Sequence, residues 1–124
     1  MRIITKSVAV TTTGNAGVAA GSGTLSGMAG FLLDVSLDYH ADAPGATTDV
    51  TIAYTTQGGN VLAVADTATD ILLAPRQKLV DNANAAITDS HALFPLNQAL
   101  TISLAGSNAL APAVTVYFRI LILD

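Results

Sequence analysis

Hydrophobic and polar residues alternate at period two along several segments of the chain, which is the pattern of a β-strand with one buried face. The alternation is strongest in four segments, residues 33–39, 49–55, 100–104 and 114–122. In the first of these we predict that one face carries Leu33, Val35, Leu37 and Tyr39. Three shorter apolar runs, at residues 3–11, 61–65 and 71–74, are predicted to be further strands.

Turn-forming residues separate these segments. The tetrapeptides Ala43-Pro44-Gly45-Ala46 and Gln57-Gly58-Gly59-Asn60 are typical of tight turns, because proline presets φ and glycine adopts positive φ. No segment has the helical period over a length that could connect parallel strands. The sequence therefore predicts an all-β fold: an antiparallel β-sandwich, jelly-roll-like, with about eight strands in one domain spanning residues 1–124.

Two segments are less regular. Residues 14–30 consist almost entirely of Gly, Ala, Ser and Thr, and we predict either an extended arm or a glycine-rich strand. Residues 82–95 show no clear period, and we expect an irregular loop there with one turn of helix at residues 82–86.

The last predicted strand is apolar on both faces. One face carries Val114, Val116, Phe118, Ile120 and Ile122, and the other carries Tyr117, Arg119, Leu121 and Leu123. In a two-layer sandwich one of these faces meets water, and each large apolar side chain left there forgoes about 1.5–3 kcal/mol of burial energy. We therefore expect a second copy of the chain to cover this face, the alternative being a loop of the same chain.

Composition narrows the class of protein. The 124 residues are 51% hydrophobic and 11% charged, with no cysteine and a formal net charge of −4. The apolar content argues against intrinsic disorder, and the absence of cysteine excludes a disulfide framework, a cysteine-ligated zinc site and thiol catalysis. An acidic chain lacks the electrostatic footprint for nucleic acid or an anionic membrane surface, so neither is predicted as a partner.

Membrane insertion and secretion are not predicted either. No run reaches the roughly 18 apolar residues that a spanning helix requires. After Arg2 and Lys6 the chain continues with Thr11, Thr12 and Thr13, where a signal peptide would have its apolar stretch. We expect a protein that is made and used without secretion.

Candidate chemistry is sparse. The glycine-rich segment at residues 21–27 lacks the spacing and the Lys-Ser/Thr pair of a phosphate-binding loop. Asp89, Ser90 and His91 are the residue types of a hydrolase triad, but consecutive residues do not easily form both triad hydrogen bonds at once. Asp66 and Asp70 could converge on a calcium ion, although turn capping is the commoner role of such residues. We therefore predict no catalytic residues, no metal site and no cofactor, and a protein that is not an enzyme.

Arg76 and Lys78 form the one local concentration of positive charge outside the N-terminal residues. They share a face at period two and could contact an acidic partner, so we add them to the candidate interface. That interface is predicted to comprise Arg76, Lys78, Tyr117, Arg119, Leu121 and Leu123.

The chain from about residue 30 onward resembles the small head-decoration, or cement, proteins of tailed bacteriophages. The resemblance rests on the segments at residues 33–40 and 48–52, the Gly58-Gly59 hairpin, Leu73-Ala74-Pro75-Arg76, the loop with His91, and the segments at residues 100–104 and 113–118. Similar proteins often have an aromatic residue where this chain has Ala74.

The resemblance implies a structural virion protein. Such a protein would assemble as homotrimers on the capsid exterior, bind the major capsid protein, stabilise the expanded lattice, and be assembled in the host cytoplasm. The alternative is a jelly-roll receptor-binding or carbohydrate-binding module of a phage tail or surface protein. The residues named above leave both open.

Overall fold

The fold is all-β. The computed structural model describes residues 1–42 and 44–123, and over these residues it contains strands and no helix, hence no helix long and apolar enough to cross a membrane. Ala43, the first residue of the predicted Pro-Gly turn, lies outside the described residues. The strands are β1 Arg2–Val10, β2 Ala19–Leu25, β3 Gly30–Tyr39, β4 Asp49–Tyr54, β5 Asn60–Val64, β6 Ile71–Leu73, β7 Gln77–Val80, β8 Ala86–Ala92, β9 Leu100–Ser107 and β10 Val114–Ile122.

The strands form two four-stranded antiparallel sheets and one separate hairpin. Sheet I has the order β1-β10-β3-β6, sheet II has the order β2-β9-β4-β5, and β7 pairs only with β8. Without the hairpin, eight strands remain. Among these, β1 pairs with β10, β2 with β9, β3 with β6 and β4 with β5, so each pair is nested inside the previous one along the chain. This nested pairing is the topology of a jelly roll, with the β7–β8 hairpin inserted between the sixth and seventh strands.

The core lies between the two sheets, as the period-two pattern predicts. The strongest predicted segments became β3, β4, β9 and β10, and in β10 every second side chain from Val114 to Ile122 is buried. The largest fully buried side chains are Phe118, Leu32, Leu37, Ile52, Leu96, Leu100, Ile102, Leu104 and Ile120. The all-β sandwich prediction is confirmed.

The predicted inward face of β3 is wrong at one position. Leu32, not Leu33, is fully buried together with Val35 and Leu37. The pairing register shifts here, because Arg119 lies opposite Asp34 while the next residue of β10, Ile120, lies opposite Leu32. The extra residue is a β-bulge, which moves one position out of the alternation.

The helical turn predicted for residues 82–86 is wrong, and the irregular loop predicted for residues 82–95 is wrong over residues 86–92. Residues 86–92 form β8, and the connection from β7 is a turn in which Asp81 Oδ1 accepts hydrogen bonds from the Ala83 and Ala85 N–H groups. Asn84 has φ 61°, a left-handed conformation that ends the turn rather than continuing a helix.

Of the two predictions for residues 14–30, the structure contains the strand. β2 forms one edge of sheet II and packs beside the second half of β1. Its glycines make this approach possible, because a Cβ atom on Gly21 would overlap the Thr11 carbonyl oxygen and one on Gly23 would meet the Val8 side chain.

β1 is the exposed edge of sheet I, paired with β10. Lys6 lies directly opposite Phe118, whose side chain is fully buried, so the Lys6 side chain leaves β1 on the core-facing side. Because β1 is at the edge of the sandwich, the Lys6 side chain is nevertheless exposed.

Candidate interaction surface

The solvent-facing side of sheet I carries large apolar side chains together with polar ones, among them Thr5, Ser36 and the Asp34–Arg119 pair. Its register places Ile3 opposite Leu121, and Leu121 opposite Phe31. The exposed fraction is 64% for Leu72, 57% for Ile3, 47% for Leu123 and 40% for Tyr117. We call this surface the apolar face, and it comprises Ile3, Phe31, Leu72, Tyr117, Leu121 and Leu123.

The solvent-facing side of sheet II differs in character. The residues of β9 that point away from the core are Thr101, Ser103 and Ala105, and those next to them on β2 include Ser22 and Thr24. These side chains are small and mostly polar, as expected for a sheet that has water on one side. Of the two sheets, sheet I is thus the one that exposes large apolar side chains on its outer face.

An ion pair lies within the apolar face. Arg119 donates from Nε to Asp34 Oδ2 at 3.0 Å, and its Nη2 also donates to that oxygen. The Asp34 side chain is 13% exposed and the Arg119 side chain 55%. Together with Leu72 and Tyr117 they line a hollow of about 290 Å³, which we call the face hollow. An ion pair this exposed adds little stability, so its main effect is to fix the guanidinium at the hollow.

Four of the predicted interface residues lie together. Tyr117, Arg119, Leu121 and Leu123 all lie on the solvent-facing side of sheet I, along β10 and directly after it.

The other two predicted interface residues lie elsewhere. Arg76 precedes β7, and its Nη1 donates to the carbonyl oxygens of Leu33 and Pro75. Leu33 lies between the part of β3 that pairs with β6 and the part that contacts residues 94–96. Arg76, which directly precedes the β7–β8 hairpin, therefore attaches the start of the hairpin (the hairpin root) to β3. Lys78 lies within the hairpin, opposite His91.

Sequence reasoning missed several apolar surface residues. Ile3 and Leu72 lie in strands that were predicted without an assignment of faces, and Phe31 precedes the predicted start of β3. The β7–β8 hairpin adds Leu79, Val80 and Ile87, which are 40%, 50% and 46% exposed. The available signal was adjacent apolar pairs such as Ile3-Ile4, in which alternation gives both faces an apolar residue.

Of the two residues considered for calcium, Asp70 uses its carboxylate and Asp66 uses its backbone N–H in a hydrogen bond within the fold. Asp70 Oδ1 accepts from the Tyr39 N–H at 2.8 Å, and the Asp66 N–H donates to Asp49 Oδ1 at 3.0 Å. Across residues 1–42 and 44–123, no three His, Cys, Asp or Glu side chains are placed to hold one metal ion.

The residues of the triad type lie on β8. Asp89 has φ 58°, and Asp89 and His91 line a small cavity of the hairpin together with Lys78 and Ile87. Ser90 is half-buried between them and does not line that cavity. Most of the glycine-rich segment at residues 21–27 lies in extended strand β2.

Two tyrosines have perturbed hydroxyl groups. Burial raises the pKa of Tyr39, its hydrogen bond with Thr67 at 2.6 Å lowers that pKa, and the nearby Asp70 charge raises it, with a net increase. Burial also raises the pKa of Tyr54, whose hydroxyl donates to the Pro95 carbonyl oxygen at 2.7 Å. Both groups support the core, and neither lines the face hollow.

Comparisons with known proteins give little more. No family model and no curated protein matches the chain. Among solved structures, the chain aligns with the cryo-EM structure of a virus-like particle of extra small virus from the giant freshwater prawn Macrobrachium rosenbergii. The sequence identity is 10%, the TM-score is 0.34, and the alignment covers 97% of this chain and 78% of that chain. This neighbour is a viral particle protein, and the likeness is too weak to support an assignment.

Proposed function

We propose that this chain is a structural virion protein that assembles as homotrimers on the exterior of a bacteriophage head, in the host cytoplasm, and stabilises the expanded lattice. One observation carries the proposal: the outside of sheet I exposes Ile3, Leu72, Tyr117 and Leu123, whereas the outside of sheet II is small and polar. Large exposed apolar side chains grouped on one side of a small domain are typical of an interaction site.

The energetics favour a structural role. Full burial of an exposed large aliphatic side chain contributes about 1.5–3 kcal/mol. Ile3, Leu72 and Leu123 are 47–64% exposed and can each gain about half of this on association, so several together offset part of its cost. Within the described residues, no three His, Cys, Asp or Glu side chains are placed to hold a metal ion. We therefore propose no enzymatic activity and no cofactor.

The specific placement on a phage head comes from the sequence resemblance. A jelly roll is used by viral capsid domains and by lectins, so the fold agrees with the proposal without deciding it. A protein that binds the major capsid protein in the expanded lattice alone would stabilise that lattice by mass action. Many copies would add their contacts by multivalency.

The test has two stages. Light scattering of the purified chain should give the mass of a trimer, and the trimer should then co-sediment with expanded phage heads but not with unexpanded ones. A chain that stays monomeric at high micromolar concentration, or a trimer that binds neither form of any head offered, would contradict the proposal.

A second candidate function is a carbohydrate-binding module. The face hollow combines an exposed aromatic ring, Tyr117, with the paired polar groups of Arg119 and Asp34. An aromatic platform beside charged hydrogen-bonding groups is also suited to a sugar. A glycan-binding screen separates the two candidates. If the chain is a virion protein of the proposed kind, it should bind no glycan. If it is a carbohydrate-binding module, it should bind a glycan, and the Tyr117→Ala substitution should abolish that binding.

A further inference from the structure

The β7–β8 hairpin is a separate element on the surface. Its strands pair only with each other, and of its residues only Gln77, Ser90 and Ala92 are even half-buried. A two-stranded hairpin is marginally stable in water without further packing. This hairpin nevertheless exposes Leu79, Val80 and Ile87, so a surface that covers them would both bury apolar area and stabilise the hairpin.

The hairpin has an irregular register that groups its side chains. Lys78 lies opposite His91 and Val80 lies opposite Ala86, so four residues of β8 lie across from Leu79 alone. Asp89 adopts φ 58° within this bulge. Ile87 and Asp89 border the same small cavity of about 250 Å³, which Lys78 and His91 also line, so an apolar group and a carboxylate are presented there beside a cation.

The face hollow offers the complementary groups. Leu72 and Tyr117 provide apolar walls, and Arg119 provides a cation. The bonds to Asp34 use Nε and Nη2 of Arg119, and a guanidinium has five N–H donors, so Nη1 can donate to a second carboxylate. The hollow therefore fits a partner that brings aliphatic side chains and an acid.

We propose that the β7–β8 hairpin of one copy docks in the face hollow of a second copy. Ile87 and Leu79 contact Leu72 and Tyr117 of the second copy, and the Asp89 carboxylate accepts hydrogen bonds from the second copy's Arg119. This inference rests on the proposed homo-oligomer and names the surfaces that form it.

Charge and apolar surface both favour a second copy as the occupant. The hairpin, residues 77–92, carries Lys78 against Asp81 and Asp89, a net charge of −1, and the exposed cation of the hollow is Arg119. One chain thus exposes two apolar surfaces that each carry charges the other can pair, Asp89 beside Lys78 at the hairpin cavity and Arg119 beside Asp34 at the face hollow. When two different patches of identical subunits meet head to tail, rotation can close the assembly into a ring, as a trimer requires.

Disulfide trapping tests the contact directly, because the chain contains no cysteine. Ile87→Cys and Leu72→Cys variants are prepared separately, mixed in equal amounts and oxidised mildly. We expect a cross-linked dimer in the mixture and much less in either variant alone. Val18→Cys, at a site that is 70% exposed outside both surfaces, is the control partner. Cross-linking that is equally strong with Val18→Cys or in the Ile87→Cys sample alone would overturn the docking.

A second set of variants separates this inference from the proposed function. Ile87→Asp and Leu72→Asp should each weaken association by roughly tenfold or more, whereas Val18→Asp should leave it unchanged. If Leu72→Asp disperses the oligomer and Ile87→Asp does not, the hairpin docking is wrong and the homo-oligomer stands. If the unsubstituted chain is a monomer, the proposed function itself fails.

Discussion

At the scale of single residues, the three tyrosines show how position decides the role of the same side chain. Tyr39 and Tyr54 pack in or against the core. The Tyr39 hydroxyl is hydrogen-bonded to the Thr67 hydroxyl, and the Tyr54 hydroxyl donates to the Pro95 carbonyl oxygen. Tyr117 points away from the core on β10 and borders the face hollow. The first two side chains stabilise the sandwich, and the third belongs to the surface that we propose for association.

The buried Tyr39 and the half-buried Tyr54 predict a loss of stability at alkaline pH. Because their pKa is raised in the folded state, the native protein holds the phenolic protons more tightly than the unfolded chain does. Their contribution is complete below the unfolded pKa of about 10 and is lost as pH rises through the folded pKa. We expect the free energy of unfolding, measured by urea titration, to fall above about pH 10.

Phenylalanine variants identify the source of that loss. Tyr39→Phe and Tyr54→Phe should each flatten the alkaline decline, while Tyr117→Phe, which leaves both buried hydroxyls in place, should keep it. A decline of unchanged slope in the Tyr39→Phe, Tyr54→Phe double variant would show that other groups cause it.

At the scale of elements, β2 can pack closely beside β1 because two of its residues are glycines without a side chain. Gly21 lies against the Thr11 backbone and Gly23 against Val8, so β2 approaches β1 more closely than larger residues allow. This segment has few apolar residues to define its register, and the close backbone approach supplies the missing constraint.

Gly21→Ala should therefore destabilise the domain. A Cβ atom there would overlap the Thr11 carbonyl oxygen, and relief requires the two strands to separate, at a cost of about 1–3 kcal/mol. Gly59→Ala is the matched control, since a Cβ atom there approaches only the Tyr54 ring at 3.9 Å, and we expect no loss or a gain of about 0.4–1 kcal/mol. Urea unfolding of both variants measures the difference, and equal stabilities would refute the close-packing explanation.

The strands differ in how well the sequence predicts them. β3, β4, β9 and β10 were predictable because each buries one face, and burial leaves a period-two pattern. The bulge at Leu33 was not, since it depends on how β3 pairs with β10. The β7–β8 hairpin was not predictable either, because nearly all of its residues are exposed and no alternation is required.

At the scale of the whole molecule, the two sheets give the domain two unlike sides. Sheet II presents small polar residues, and sheet I presents the apolar face with the hairpin root attached beside it through Arg76. The candidate residues on β10 could be proposed from the sequence, because apolar residues on both faces of one strand are visible in its alternation. The full surface could not, because Ile3, Phe31 and Leu72 come from three other strands that the strand order brings together.

Association should make thermal stability depend on protein concentration. An oligomer of folded chains stabilises the native state by mass action, so the apparent Tm should rise with concentration. Leu72→Asp should remove this dependence, and Val18→Asp should retain it. Calorimetry over a hundredfold range of concentration measures the effect, and a constant Tm for the unsubstituted chain would argue against a folded-state oligomer.

The position of Lys6 has a consequence for the form of any assembly. A further strand hydrogen-bonded along β1 would enclose the Lys6 ammonium group between stacked sheets, and burying an unpaired ammonium costs several kcal/mol. An inward-pointing charge on an edge strand opposes edge-to-edge pairing of sheets into fibres. In the association that we propose, copies of this chain would therefore join by their faces and not by strand addition along β1.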